Sequence, residues 1–167
     1  MTRLHLTTIK IFTFIALFSL ASCMTQLAPN YDRALFSGLT ETNAKIMELF
    51  ASVSSGTDKS TFNNRDATYN VLIGRIDALA LQSRARPVPE NKVTEKVNKY
   101  LESRGIGSLT GGEAPSAAAL DEVSKNLVKM KAQDKKTGLK PTVIAVFKNA
   151  IVISMDQAIT YEAFLDR

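Results

Sequence analysis

Residues 142–154 read TVIAVFKNAIVIS, and this stretch decides between two fold classes. It is rich in valine and isoleucine, which strands favour, and it could form a hairpin that turns at Lys148 and Asn149. Tight hairpin turns favour Asn-Gly or Asp-Gly, however, and the stretch contains no glycine. Its apolar positions also keep alternating steps of three and four residues from Ile144 to Leu165, which is typical of a helix. We therefore predict a helix here, and we expect it to be the most buried helix of a bundle.

The same spacing recurs upstream and predicts an all-α fold, a small bundle of about five helices. The first helix is expected over residues 31–53, with Thr57 or Ser60 available to cap the second, which covers residues 69–79 with Phe62 leading in. A short third helix is expected around Val93, Val97, Tyr100 and Leu101, closed by Gly105. Residues 104–116 hold four of the eight glycines and are predicted to be a loop.

The fourth helix is expected to begin with Asp121 and Glu122 and to end in lysines, the polarity that the helix dipole favours. Gly138 should terminate it, and Pro141 should open the last helix. The four tyrosines are expected in the core. The periodic apolar positions predict the following core residues: Leu35, Leu39, Ile46, Leu49, Leu72, Ile76, Leu79, Leu127, Phe147 and Ile151.

The N-terminal residues have the layout of a secretory signal peptide. Arg3 and Lys10 precede an apolar run at residues 11–20, and this run is too short to span a bilayer, which takes about 20 residues. The residues that follow it, Leu20-Ala21-Ser22-Cys23, resemble the lipobox of bacterial lipoproteins. That resemblance implies cleavage before Cys23 and attachment of fatty acyl chains such as palmitate, which would anchor the mature protein stably in a membrane.

The resulting organisation is a signal peptide over residues 1–22, a lipidated tether over residues 23–30 and a helical bundle domain over residues 31–167. The tether beyond Cys23 reaches at most about 25 Å, so the domain should stay close to the bilayer. The residue after Cys23 is Met24, not an aspartate, which at this position would resemble the inner-membrane retention signal of Gram-negative lipoproteins. If the host is Gram-negative, we therefore expect the protein in the outer membrane, facing the periplasm.

The residue types available for catalysis are few. The single histidine, His5, lies in the signal peptide, and lipidation would consume the single cysteine. Glu41 and Glu48 are seven residues apart, about 10 Å along one face of a helix. The two catalytic carboxyl groups of a glycosidase would instead have to lie in a cleft. Gly107 and Gly112 have the spacing of a phosphate-binding loop, but Glu113 follows where a lysine is required. We therefore predict no enzymatic activity, no cofactor and no bound metal.

Basic side chains offer the best candidate for a binding surface. The predicted contact residues for an anionic neighbour are Lys125, Lys129, Lys131, Lys135, Lys136, Arg84 and Arg86. The formal net charge of +5 falls to +3 when Arg3 and Lys10 are removed, which is too mild for a nucleic-acid-binding protein. We predict a membrane-anchored binding or scaffolding module whose neighbour is another envelope protein or anionic lipid. Two alternatives stay open, a carrier that encloses an apolar ligand and, less favoured, a cell-wall-modifying enzyme.

Overall fold

The computed structural model describes residues 28–87, 95, 96, 99, 103 and 113–166, and the fold is all-α, as predicted. These residues contain four long helices and no strand: α1 (Arg33–Ser52), α2 (Asn63–Arg84), α3 (Pro115–Thr137) and α4 (Pro141–Phe164). A short 3-10 helix, Lys59–Thr61, lies between α1 and α2. Residues 142–154 lie wholly within α4, so the prediction of a helix is confirmed and the hairpin alternative is wrong.

Among the described residues, the count of long helices is one below the predicted five. The third predicted segment, with Val93, Val97, Tyr100 and Leu101, lies outside the described residues, although the neighbouring residues 95, 96 and 99 are helical. The glycines between residues 105 and 112 also lie outside the described residues. The predicted loop over residues 104–116 extends too far, because Pro115 and Ser116 already belong to α3.

The four helices form a ring in which each packs against two neighbours, α1 and α3 against both α2 and α4. Consecutive helices run antiparallel. Gln82, near the end of α2, donates to Asp32, the N-cap of α1, at 2.9 Å. Lys131, late in α3, pairs with Asp66, early in α2. The result is an up-down-up-down four-helix bundle with short connections after α1 and α3.

The helix ends follow from local chemistry, with two corrections to the predicted caps. Asp32 caps α1 by accepting a hydrogen bond from the Leu35 amide at 3.0 Å. Neither Thr57 nor Ser60 caps α2, which follows Phe62 and has no side-chain cap, and Asp58 caps the short 3-10 helix before it. α3 begins at Pro115, well before the predicted start at residues 121–122. The first turns of α3 are rich in alanine, which favours helix. Alanine does not form a large apolar stripe, so the sequence pattern did not reveal these turns. Gly138 ends α3 with a φ of +74° and Pro141 opens α4, both as predicted.

The core lies along the axis of the ring and contains nine of the ten predicted residues; Phe147 is the exception and is half-buried. Side chains fill this interior. Leu39, Ile46, Tyr69 and Ile76 are all fully buried. Of the other tyrosines, Tyr31 and Tyr161 are half-buried, and Tyr100 lies outside the described residues.

The position of α4 differs from the prediction. Although it is apolar enough and long enough to cross a membrane by length and composition, only 28% of its apolar window is buried. Five of its 24 residues are buried, against eight of the 23 in α3, so the prediction that α4 is the most buried helix is wrong. The helix is apolar on nearly every side, so its spacing does not reveal which side packs. Four of its large apolar side chains remain exposed to solvent: Val146, Val152, Ile153 and Phe164.

Candidate binding surfaces

A buried ionic network closes the end of the bundle at which the described chain begins. Glu162 on α4 is fully buried, and its carboxylate accepts hydrogen bonds from Arg86 and from the Ser116 hydroxyl. The Ser116 hydroxyl lies 2.7 Å from that of Ser83, and Arg86 also donates to the Asn30 carbonyl at 3.4 Å. Because a buried charge is costly without partners, this network ties the N-terminal segment to the adjoining ends of α2, α3 and α4.

A second network closes the opposite end. Asp134 on α3 is fully buried and accepts two hydrogen bonds from Arg65, at 2.8 and 2.9 Å, one from the Thr57 hydroxyl and one from the Tyr69 hydroxyl. Burial would raise the pKa of Asp134, but the hydrogen bonds from Arg65 and Thr57 outweigh it and hold that pKa below its usual value. Burial, reinforced by the Asp134 charge, raises the pKa of Tyr69. Tyr69 is therefore a neutral hydrogen-bond donor.

The two predicted arginines are engaged within the protein. Arg84 forms ion pairs with Glu113 and Asp121. Arg86 is only 12% exposed and belongs to the Glu162 network. The structure therefore removes Arg86 from the predicted basic surface, because its charge neutralises a buried carboxylate.

The five predicted lysines fall into two groups. Lys125 pairs with Glu122 at 2.7 Å, and Lys131 pairs with Asp66 at 2.9 Å. The other three, Lys129, Lys135 and Lys136, are exposed and make no ion pair within the described residues. We call these three the open lysines. They lie in the second half of α3, whereas Arg84 and Arg86 lie beside its beginning, so the structure does not bring the predicted residues together as one patch.

The bundle end beyond the open lysines is also basic. The Thr57 amide donates to the Leu139 carbonyl at 2.9 Å, and the Leu139 amide donates to the Thr57 hydroxyl at 2.8 Å. These bonds hold the segment before Lys59 against the segment before Lys140, and both lysines are exposed. Lys59 and Lys140 thus add exposed positive charge at the end of the bundle farthest from residue 28.

One of the two carboxylates considered for catalysis, Glu41, forms an ion pair. Glu41 accepts a hydrogen bond from Arg75 at 2.7 Å, and that arginine lowers the pKa of Glu41. A general acid at neutral pH requires a raised pKa instead.

Within the described ranges, no three His, Cys, Asp or Glu side chains gather as metal ligands. Cys23, the predicted lipidation site, lies outside the described residues.

No family model, curated protein or solved structure matches this chain. The chain's own residues are therefore the basis for assigning a function.

The prediction from sequence missed the two buried carboxylates, although the sequence contains a signal for them. Asp134 continues the apolar series Leu127 and Met130, and Glu162 continues the series Met155 and Ala158, each at helical spacing. A carboxylate at a core position of a helix needs a buried cationic partner. Arg65 and Arg86 could have been sought on that basis.

Proposed function

We propose that this chain is a lipid-anchored protein of the cell envelope whose helical bundle binds or positions another envelope component and catalyses no reaction. The lipobox-like sequence that ends at Cys23 supports the anchor. The short tether supports a role close to the bilayer, because residues 24–30 reach at most about 25 Å. The envelope component is an anionic surface, either of lipid or of another protein.

The observation that carries this proposal is the set of open lysines. Other lysines on α3 have carboxylate partners at 2.7 and 2.9 Å, whereas the open lysines are exposed without such partners among the described residues. A lysine near an anionic leaflet contributes about 1 kcal/mol to binding. Such an attraction is screened by salt, with a Debye length of about 8 Å at physiological ionic strength.

Replacement of the open lysines tests this function. The triple variant Lys129→Gln/Lys135→Gln/Lys136→Gln should lose most of the salt-sensitive binding to anionic vesicles or to a crosslinked envelope partner. A matched control removes three lysines that already have acidic partners, at positions 99, 125 and 131. Both variants lower the net charge by three, so a nonspecific charge effect would weaken them equally. Binding that is indifferent to salt and to both triple variants would contradict the proposal.

A further inference from the structure

The side of α2 that faces away from the core carries a continuous apolar row, which we call the α2 row. It consists of Ala67, Val71, Gly74, Ala78 and Leu81, all of them exposed. Val71 is 54% exposed and Leu81 is 65% exposed. The steps along the row alternate between four and three residues, as in the heptad pattern of helices that pack along one another. The core uses the opposite side of α2, so no helix covers the α2 row within the part of the chain that the structure describes.

We infer that the α2 row is the contact between two copies of this protein, which pair through α2 with the two helices parallel. The two-fold axis then runs along the helices, and each residue of the row lies opposite its own counterpart. The small side chains of Ala67, Gly74 and Ala78 allow a close approach, since the distance between packed helices depends on the side chains at the contact. Val71 and Leu81 supply the larger apolar contacts.

The charges that border the α2 row differ between its two sides. On the side toward α1, Arg75 is 42% exposed and donates to Glu41 at 2.7 Å. On the side toward α3, the exposed Asp77 accepts a hydrogen bond from the Ser124 hydroxyl at 2.6 Å. Arg75 and Asp77 are two residues apart, so their heights along α2 differ by only about 3 Å. The row thus has one positive and one negative border.

This arrangement of charge is self-complementary in a parallel pair of copies. There, the α1 side of each copy faces the α3 side of the other, so Arg75 of each copy lies opposite Asp77 of the other. In an antiparallel pair each side faces itself, and full overlap of the row would place the two copies of Arg75 opposite each other. Such a juxtaposition of like charges is unfavourable. The charge pattern therefore fits a second copy in the parallel orientation.

The other charges near the row do not reverse this preference. They are paired within the bundle or lie on α1 and α3, which pack behind α2 and recede from the axis: Glu41, Lys45, Glu48, Arg84, Lys125 and Lys129. Lys45 and Glu48 contribute one charge of each sign. Lys129 lines the groove beside Asp77, but the two form no ion pair among the described residues. Arg75 and Asp77 are thus the charges that border the contact directly.

Anchoring in a membrane would favour the same orientation. Gln82, near the C-terminal end of α2, donates to Asp32, just before α1, so the chain that leads back to Cys23 leaves the bundle at this end of α2. Two copies anchored in one leaflet through this end would have their α2 helices pointing the same way. In this respect the inference rests on the proposed function and deepens it, because the anchored unit becomes a dimer.

Disulfide cross-linking tests the inference on the full-length protein, both in its native membranes and after purification. Val71→Cys and Leu81→Cys are made separately, with Val146→Cys as a control. Val146 is 70% exposed on α4, which lies diagonally across the ring from α2. Mild oxidation links two cysteines only if their Cα atoms lie within about 7 Å of each other. Circular dichroism checks that the purified variants stay helical.

We expect disulfide-linked dimers to be the main product for both Val71→Cys and Leu81→Cys, and not for Val146→Cys. The two row positions are about 15 Å apart along the helix, so an antiparallel pair would link at most one of them. Linkage at only one position would therefore overturn the parallel pair. Linkage of the row positions to a different protein would assign the α2 row to that protein and overturn the inference as well.

A charge exchange tests the two borders of the row. In the Leu81→Cys background, Arg75→Glu should abolish most of the linkage, because it places two negative side chains opposite each other. The double variant Arg75→Glu/Asp77→Arg should restore the linkage, since opposite charges face each other again. The ion pair with Glu41 is lost in both variants, so a merely local effect on the bundle would not be restored. A double variant that links no better than Arg75→Glu would contradict the inference.

Flotation with membranes separates this inference from the proposed function. If the protein floats with membranes and neither row position links, the pair is wrong and the anchor stands. If the protein is absent from the membrane fraction but links at both row positions after purification, the anchor fails and the pair stands.

Discussion

Asp134 and Glu162 stand at the two ends of the bundle, each in a helical position that otherwise holds apolar side chains. Each carboxylate joins segments that are far apart in the sequence. Asp134 joins the segment before α2, α2 and α3, and Glu162 joins the N-terminal segment, α3 and α4 through Arg86 and Ser116. The contribution of such a buried pair becomes visible when one partner is removed, because the other charge is then left without compensation.

At the Asp134 network, we expect Asp134→Asn to lower the free energy of unfolding by on the order of 3 kcal/mol, because Arg65 loses its buried counter-charge. Urea denaturation measures the effect. The control is Asp66→Asn, which removes the 42% exposed partner of Lys131 and should cost no more than about 1 kcal/mol. Equal costs for the two variants would contradict a special role for the buried pair.

This network also predicts a dependence on pH. The pKa of Asp134 in the folded protein lies below its usual value. The stabilisation of the fold by ionised Asp134 is therefore fully present above the pKa of this residue in the unfolded chain. It is lost as the pH falls through the lower pKa of the folded state. The difference in stability between the wild type and Asp134→Asn should therefore narrow below about pH 4. A difference that stays constant from neutral pH into this range would contradict the assignment.

Two neighbouring positions of α4 test the correction to the predicted core. Ile151 is fully buried, so Ile151→Ala should cost about 2–5 kcal/mol of unfolding free energy. Phe147 is half-buried and packs against the edge of the core. Despite its larger side chain, Phe147→Ala should therefore cost less than the value of about 3–5 kcal/mol typical of a buried phenylalanine. A larger loss for Phe147→Ala than for Ile151→Ala in urea denaturation would place Phe147 back in the core.

At the scale of elements, the turn between α3 and α4 depends on one glycine. Gly138 has a φ of +74°, and a Cβ at this position would lie 2.3 Å from the Thr57 carbonyl oxygen. We expect Gly138→Ala to lower the unfolding free energy by more than the roughly 1–2 kcal/mol that a left-handed conformation costs, since the clash with backbone adds to it.

The matched control is Gly74→Ala within α2, where an added Cβ meets nothing within 4 Å. This variant should raise stability by roughly 0.5–1 kcal/mol, because alanine favours helix over glycine. Thermal or urea denaturation compares the two variants. The same chemical change should thus have opposite signs at the two sites, and a loss at Gly74 or a gain at Gly138 would contradict the described packing.

The helices differ in how far the sequence pattern predicts which of their residues face the core. α1 has a single apolar stripe, so Leu35, Leu39 and Ile46 were predicted correctly as core. α4 is apolar on several sides, so periodicity establishes that it is helical but not which side faces the core. The start of α3 escaped prediction because alanine favours helix without marking a face. The lysines posed a different problem, since pairing with Glu122 or Asp66 depends on contacts that only the fold determines.

At the scale of the whole molecule, the bundle combines three features on one compact body. Its N-terminal segment lies at the Glu162 end, the open lysines lie toward the opposite end, and Val146 and Ile153 are exposed on α4 between the two ends. Under the proposed function, a short anchored tether would bring this combination to a membrane. The proposed function thus depends first on whether Cys23 is the lipidated start of the mature protein.

Intact mass spectrometry of the protein extracted from its native membranes tests that central claim most directly. We expect a chain that begins at Cys23 and carries the mass of a diacylglyceryl group and its acyl chains on that residue. Fragmentation should localise the added mass to Cys23 and find no residue from positions 1–22. A mature chain with an unmodified Cys23, or one that retains residues 1–22, would contradict the claim.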